Sequence, residues 1–225
     1  MKKLVYFVDS SVGKKLIMAL TGLFLSLFMI EHLAGNLLAL KDPKAFNEFC
    51  EFMAGTTNLI NILVRFVEVG LFLIVIYHIT NGVRLWFSNK AARSQGYAVN
   101  KPGDNSSFFS RFMIQSGSIV FIFLVIHLRT FFFPSRFAKE SFINENGNMY
   151  QSMVNAFTNP WYSGFYLFAL ILLAFHLVHG VQSAFQTLGI RNKYTPFLKG
   201  FGIAFSIIIC LGFAIIPIYF LAGGK

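Results

Sequence analysis

Five long apolar runs limit what this chain can fold into. They cover residues 15–40, 59–87, 111–133, 161–188 and 199–221. A hydrocarbon core about 30 Å thick is crossed by about 20 apolar residues in a helix. A helix also satisfies its own backbone hydrogen bonds in lipid. The sequence therefore predicts an all-α integral membrane protein with five transmembrane helices.

The composition agrees with a membrane location. Hydrophobic residues make up 56% of the chain and charged residues only 12%, against about 25% charged in a soluble domain. The connections between the runs are too short for a separate domain of about 50 residues. We therefore expect residues 1–225 to form one transmembrane domain. Cys50 falls in a predicted loop and Cys210 in an apolar run, so we expect no disulfide between them.

Basic residues predict the orientation. The N-terminus and the loops after the second and fourth runs carry twelve Lys and Arg, and the opposite side carries six. Loops rich in Lys and Arg stay on the cytoplasmic side. This bias places the N-terminus in the cytoplasm and the C-terminus outside. It also accounts for the net charge of +10, so we expect no nucleic-acid partner.

All five histidines lie inside the predicted spans, where an imidazole is costly unless something binds it. With a rise of about 1.5 Å per residue, His32 and His127 lie about 24 and 22 Å along helices that run outward. His78 and His176 lie about 28 and 21 Å along helices that run inward. The depths predict an outer pair, His32 with His127, and an inner pair, His78 with His176.

Two imidazoles that face each other from different helices suit the axial positions of a six-coordinate haem b. Two pairs at two depths predict two haems, enclosed by the first four helices, and an electron path across the membrane. A single membrane histidine often only bonds a neighbouring helix, but four at paired depths favour haem. Zinc is disfavoured because the pairs are too far apart to converge on one tetrahedral ion.

Three glycines follow a pair histidine by three or four residues, which places them on the same helix face: Gly35, Gly82 and Gly180. A missing side chain leaves room for a flat porphyrin ring, although small residues also serve ordinary helix packing. His179 lies three residues after His176, so the two cannot sandwich one ring. Gly180 favours His176 as the ligand and leaves His179 as a partner of a haem propionate or of a helix neighbour.

The chain resembles a known family through four segments: "GKKLIMALTGLFLSLFMIEHLAGNLLAL", "YHITNGVRLW", "IHLRTFF" and "FHLVHGVQSAFQTLGI". It is similar to the diheme cytochrome b membrane subunit of succinate:quinone oxidoreductases, the succinate dehydrogenase and fumarate reductase complexes. The similar type is one polypeptide of five helices. The resemblance implies that His78 and His176 hold the proximal haem, near the cytoplasm, and that His32 and His127 hold the distal haem. It also implies that His179 is not a ligand.

The resemblance implies an electron-transfer subunit of the respiratory chain and tricarboxylic acid cycle in a bacterial cytoplasmic membrane. Flavoprotein and iron–sulfur partners on the cytoplasmic face are then expected to carry FAD and iron–sulfur clusters, for which this chain has no motif. Electrons pass between succinate or fumarate and a membrane quinone, expected to be menaquinone. Some related fumarate reductases carry a proton-transferring glutamate two residues before the fourth-span ligand. Ala174 stands there, which argues against that proton path.

The resemblance places the quinone near the distal haem. Quinone chemistry moves protons with electrons, so an ionisable group is expected there. The outer carboxylates are Glu31, Glu51 and Glu68, of which Glu51, at the membrane edge, is the preferred candidate. Glu68 lies three residues from Arg65, so an ion pair is its alternative role. Glu31 adjoins His32 and points to a different face.

Three basic residues lie near helix ends at the two haem levels: Arg84, Arg129 and Lys193. They are candidates for pairing with haem propionates, with interfacial anchoring as the alternative. Two other functions remain open. One is the diheme cytochrome b of another quinone-linked dehydrogenase, and the other is a transporter or proton channel that uses histidines as relay groups and binds no haem.

Overall fold

The computed structural model describes residues 8–54, 59–92, 108–137, 147–190 and 194–224. Within these ranges five helices are long and apolar enough to cross a membrane. They are α1 (Ser11–Lys41), α3 (Leu59–Ala91), α4 (Met113–Phe137), α6 (Pro160–Thr187) and α7 (Thr195–Leu221). Two shorter helices, α2 (Pro43–Ala54) and α5 (Met149–Phe157), lie between them, and the turn Phe108–Arg111 precedes α4. The all-α fold with five spans is confirmed, and the chain is a multi-pass membrane protein.

Short polar residues fix where the helices begin. The Ser10 side chain accepts a hydrogen bond from the Gly13 backbone N–H at 3.0 Å and so caps α1. The Asn159 side chain accepts from Trp161 N–H at 3.0 Å, and Pro160 occupies the first turn of α6. These residue types satisfy or remove N–H groups that a helix start leaves unbonded. The predicted spans agree with the helices to within four residues at every end.

The bundle is tight around α6 and loose around α3. α6 packs against α7, α1 and α4, whereas α3 packs mainly against α1 and touches α4 at few points. In the most apolar window of α6, 39% of the residues are buried, against 6% for α3. The apolar side chains of α3 therefore face lipid, or space beside the bundle, more than they face other helices.

The short helices α2 and α5 cover one end of the bundle. The Tyr150 backbone N–H of α5 donates to the Asn47 side-chain oxygen of α2 at 3.0 Å. Phe46, Phe157 and Phe220 are buried together beneath them. We call this the outer end, following the predicted orientation, and the opposite end the inner end.

The sequence predicted connecting loops where α2 and α5 occur, and both predictions were wrong. Turn residues near these segments cap or begin helices: Pro43 is the first residue of α2, and the Asn148 side chain accepts from Gln151 N–H at 2.9 Å to start α5. Proline suits a helix start as well as a loop, and so does asparagine. Cys50 consequently lies in α2 and not in a loop.

α4 widens to π-helical hydrogen bonding over Leu128–Phe132, directly after His127. Pro134 follows within the helix. In a regular α-helix its ring would press against the Thr130 carbonyl, and it has no N–H to donate. A π turn gives that segment more room, and such turns are frequent at functional sites. The outer histidine of α4 therefore lies where the helix changes its geometry.

Candidate functional site

The outer pair forms between α1 and α4. The ring centroids of His32 and His127 lie 5.7 Å apart. Phe28 stacks on the His32 ring at 5.2 Å, and Phe123 stacks on the His127 ring at 5.7 Å. His32 is nine residues from the end of α1 at Lys41. The structure thus brings these two histidines together in an aromatic setting in the outer half of the bundle.

The inner pair forms between α3 and α6. The ring centroids of His78 and His176 lie 6.4 Å apart. His78 is 13 residues from the inner end of α3 at Ala91, and His176 is 11 residues from the inner end of α6 at Thr187. The four histidines therefore lie in two pairs at two depths, each joining two different helices.

Both pairs fit a metal held between two imidazoles. A metal–imidazole bond of about 2.0 Å, with the ring centre about 1 Å beyond the nitrogen, separates two axial ring centroids by about 6 Å. The observed separations of 5.7 and 6.4 Å lie on either side of that value. Among the described residues, no group of three or more His, Cys, Asp or Glu could hold a metal ion. A site with two histidines suits a metal-containing group, such as haem, that brings its remaining ligands with it.

His78 has a hydroxyl contact at one ring nitrogen. Its Nδ1 lies 3.0 Å from the Thr21 hydroxyl oxygen of α1. That hydroxyl also donates to the Ile17 carbonyl at 2.8 Å, which leaves its oxygen free to accept from His78 when Nδ1 carries the hydrogen. A neutral imidazole protonated at Nδ1 keeps the Nε2 lone pair free for a metal. His78 therefore has the contact expected of a metal-ligating histidine.

His127 also contacts a hydroxyl at Nδ1, which here belongs to a tyrosine. Its Nδ1 lies 3.2 Å from the Tyr166 hydroxyl oxygen of α6. The Tyr162 hydroxyl donates to that same oxygen at 3.0 Å. The sequence analysis did not find Thr21, Tyr162 or Tyr166, because each acts on a histidine of another helix and no spacing along the chain marks it.

Among the described residues, no hydroxyl bonds Nδ1 of His32 or His176, the second member of each pair. The Asn36 side-chain amide lies 3.5 Å from His32 Nδ1, but it donates to the His32 carbonyl at 2.7 Å. His176 Nδ1 is buried and has no hydrogen-bond partner in the part of the chain that the structure describes. Each pair thus joins one histidine bonded to a hydroxyl with one that is not.

Two glycines that the sequence analysis missed lie against the inner histidines. A Cβ at Gly22 of α1 would lie 3.3 Å from His78 Cε1, and a Cβ at Gly117 of α4 would lie 3.4 Å from His176 Cε1. Both rings are therefore packed against backbone of a neighbouring helix. Each glycine contacts a histidine of a different helix. Its spacing from the histidines of its own helix therefore could not predict this contact.

The three glycines chosen from the sequence have other surroundings. A Cβ at Gly35 would lie 2.7 Å from Phe49, and a Cβ at Gly82 would lie 2.8 Å from Met18. Both glycines thus serve close packing against side chains, which was the alternative interpretation. Gly180 has nothing within 4 Å of its Cβ position and leaves open space beside α6.

His179 lies on the side of α6 that meets α7. A cavity of about 240 Å³ there is lined by His179, Ser183, Gln186 and Lys199 among others. Gln182 also lines it and donates to the Lys199 carbonyl at 3.2 Å. The structure therefore brings His78 together with His176, and places His179 at a polar helix contact.

Two of the three basic candidates lie within the described residues. Arg84 lies 3.6 Å from the Asp9 carboxylate, and both side chains are more than half exposed. Arg129 is exposed on α4. Lys193 lies outside the described residues.

The outer carboxylates differ in their partners. Glu68 pairs with Arg65 at 3.1 Å, as the spacing predicted, and also with Arg136 of α4. Glu31 and Glu51 are exposed, on α1 and α2 respectively. Glu51 is thus an exposed carboxylate at the outer end.

Arg65, Glu68 and Arg136 form an outer ion-pair cluster that joins three helices. The Arg136 side chain is only 9% exposed and donates to the Met53 carbonyl at 3.2 Å. Arg65 donates to the Ala54 carbonyl at 3.0 Å. The two arginines therefore bond carbonyls at the C-terminus of α2, where a helix leaves such groups without intrahelical partners. The cluster ties α2 to α3 and α4.

Comparison with known proteins gives one informative match. No family model matches the chain, and no solved structure matches it significantly. The chain is similar to the succinate dehydrogenase cytochrome b558 subunit of Bacillus subtilis (strain 168), with 28% identity over 167 residues. The aligned region covers 73% of each chain. The resemblance of this chain to the cytochrome b membrane subunits of succinate dehydrogenase is therefore confirmed.

Proposed function

We propose that the chain is the membrane cytochrome b subunit of a succinate:quinone oxidoreductase, and that it carries electrons across the bilayer through two haems b. The observation that carries this proposal is the presence of two histidine pairs, at two depths, with ring centroids 5.7 and 6.4 Å apart. The name of the Bacillus subtilis relative supports the succinate dehydrogenase assignment.

Four histidines would hold the two haems. His32 and His127 would ligate the distal haem, and His78 and His176 the proximal haem. Haem b, when bound, accepts and releases single electrons at its iron. The protein would orient the histidine rings through contacts at Nδ1, such as the one between Thr21 and His78.

Aromatic packing excludes water from the outer pair. Phe28, Phe123 and Phe213 all lie against the two histidine rings, at centroid distances between 5.2 and 5.7 Å. A dry apolar environment around a haem site is one of the factors that set its reduction potential. Gly180 leaves space beside α6 in the inner half, which suits a flat ring there.

The electron donor and acceptor lie on other molecules. In this proposal, flavoprotein and iron–sulfur subunits bind at the cytoplasmic face and carry FAD and iron–sulfur clusters. This chain is their non-flavin electron-transfer subunit, in a bacterial cytoplasmic membrane. Arg84 in the inner half of α3 and Lys193, which follows α6 in the sequence, are candidates for haem propionates. Because Arg84 lies within reach of Asp9, a propionate would have to compete with that carboxylate.

The proposed quinone, menaquinone, binds near the distal haem, and Glu51 exchanges its protons. Glu68 is engaged by two arginines, and Glu31 lies on the exposed face of α1. Glu51 is exposed on α2, the helix that covers the outer end of the bundle. An exposed carboxylate beside the quinone suits its coupled proton and electron transfer.

The transporter alternative is less well supported. Transporters often bind substrate at broken helices near the membrane midplane. Here Pro134 and Pro217 both lie within helices that continue past them. The cytochrome of another quinone-linked dehydrogenase shares every feature of the site and differs only in its partner.

The test is to purify the tagged chain from its native membrane together with its partners in mild detergent. We expect co-purified flavin and a b-type absorbance that succinate reduces and fumarate reoxidises. Reduction by formate or hydrogen but not by succinate would assign the chain to another dehydrogenase. A preparation without haem would contradict both cytochrome assignments.

A further inference from the structure

The two histidine pairs differ in how their Nδ1 atoms are bonded. We infer that Thr21 and Tyr166 are positioning residues that set the electron affinity of the two iron sites separately, Thr21 through His78 and Tyr166 through His127. The inference rests on the proposed function, since it requires iron at both pairs. It adds a mechanism by which this chain makes the two centres unequal.

The physical link runs through the imidazole ring. When Nδ1–H donates to an acceptor, electron density on the ring rises and Nε2 becomes a more basic ligand. A more basic axial ligand stabilises the oxidised iron and lowers its midpoint potential. Removing the acceptor therefore raises the potential of that site and leaves the other site unchanged.

The two acceptors are not equivalent. Thr21 donates its own hydrogen to the Ile17 carbonyl, and donation strengthens a hydroxyl oxygen as an acceptor. With Nε2 of His127 bound to iron, its Nδ1–H would donate to the Tyr166 oxygen, which already accepts from Tyr162 at 3.0 Å and would share its lone pairs between two donors. Thr21 is therefore expected to be the stronger acceptor. The distances from Nδ1 to the hydroxyl oxygen agree, at 3.0 Å for His78 with Thr21 and 3.2 Å for His127 with Tyr166.

Packing holds the tyrosine hydroxyls in place. Tyr166 is 5% exposed, and its ring lies 4.8 Å from Phe123 and 5.0 Å from Phe157. The Tyr162 ring lies 4.7 Å from the Tyr166 ring, one helical turn away on α6. A Tyr→Phe substitution therefore keeps the ring packing at either position and removes only the hydroxyl. Thr21→Val likewise keeps the side-chain shape.

The experiment is a potentiometric titration of the haem absorbance in the purified complex, for the wild type and three variants. Thr21→Val should raise the midpoint potential of one haem component, and Tyr166→Phe should raise that of the other by a smaller amount. Tyr162→Phe removes the competing donor to Tyr166. It should therefore lower the midpoint potential of the haem component whose potential Tyr166→Phe raises. If the two tyrosine substitutions acted only by loosening the packing, they would shift the midpoint potential in the same direction.

Three results would overturn the inference in a preparation that binds two haems. The first is that Thr21→Val and Tyr166→Phe leave both midpoint potentials unchanged. The second is that these two variants shift the potential of the same haem component. The third is that Tyr162→Phe and Tyr166→Phe shift the potential in the same direction. Thr21→Ser keeps the hydroxyl and should retain the wild-type potential, so a Ser variant that behaves like Val also contradicts the inference. Absence of haem from the wild type would instead be a failure of the proposed function.

Discussion

At the scale of single residues, the depth of a histidine decides which pair it joins. A helix advances by a constant rise, so the sequence predicted which histidines share a depth. In the structure, the ring centroids of His78 and His176 lie 6.4 Å apart. The hydroxyls of Thr21 and Tyr166 could not be predicted in this way, because they depend on how neighbouring helices are rotated about their axes.

The choice between His176 and His179 can be tested directly. We expect His176→Ala to lower the haem content from two to one per chain, because it removes one of two axial ligands. His179→Ala should keep both haems, since His179 lies at the contact between α6 and α7. A pyridine haemochrome assay on both variants measures this. A loss of haem in His179→Ala with full content in His176→Ala would reverse the assignment.

Cys50 provides a test of the helix α2 that replaced a predicted loop. Burial raises the pKa of the Cys50 thiol to about 12. Stability tied to the protonated thiol is thus fully present below the ordinary pKa of a cysteine and is lost progressively as the pH rises from that value toward the folded pKa. At pH 8 the thiolate fraction is roughly one in 10⁴. We expect iodoacetamide to label Cys50 at least about 100-fold more slowly than a free cysteine.

The labelling is followed by mass spectrometry in a Cys210→Ala background, which leaves Cys50 as the cysteine to be modified. The same protein unfolded in detergent supplies the rate of the exposed thiol. Rapid labelling of the folded protein would place Cys50 in an exposed loop, as the sequence alone had indicated.

At the scale of helices, contacts between backbone and ring position the inner pair. Gly22 lies against His78, with 3.3 Å between its Cβ position and His78 Cε1. We expect Gly22→Val to displace the ring and to reduce occupancy of one haem several-fold. Gly70→Val on α3 is the matched control, since nothing lies within 4 Å of its Cβ position. Full haem content in Gly22→Val would show that the inner ring does not depend on this contact.

The outer ion-pair cluster joins α2, α3 and α4, and its removal should cost stability. Arg136→Ala leaves Glu68 with only Arg65 as its charged partner and leaves the Met53 carbonyl without its donor. Breaking a largely buried ion pair in this way destabilises by about 2–3 kcal/mol. We expect a lower midpoint of thermal unfolding in detergent, measured by the loss of helical circular dichroism.

The control is Lys44→Ala, which removes an exposed ion pair with Glu48. Exposed pairs contribute about 0–1 kcal/mol, so its unfolding midpoint should stay close to that of the wild type. Equal midpoints for Arg136→Ala and wild type would mean that the cluster does not hold the outer end together.

At the scale of the whole molecule, the spans could be predicted and the covering helices could not. A run of apolar residues has one stable solution in lipid, a helix, so α1, α3, α4, α6 and α7 followed from hydropathy. α2 and α5 are short and amphipathic, and their Pro and Asn residues resemble those of loops. Their helical state depends on burial of Phe46 and Phe157 against the outer end, which no local pattern reveals.

The central claim is that this bundle holds one iron between each histidine pair. The most direct measurement is the haem stoichiometry of the chain purified with its native partners, from a pyridine haemochrome assay and a reduced-minus-oxidised spectrum. We predict two low-spin b-type haems per polypeptide. One haem would contradict the two-site arrangement, and a preparation without haem would contradict the electron-transfer function.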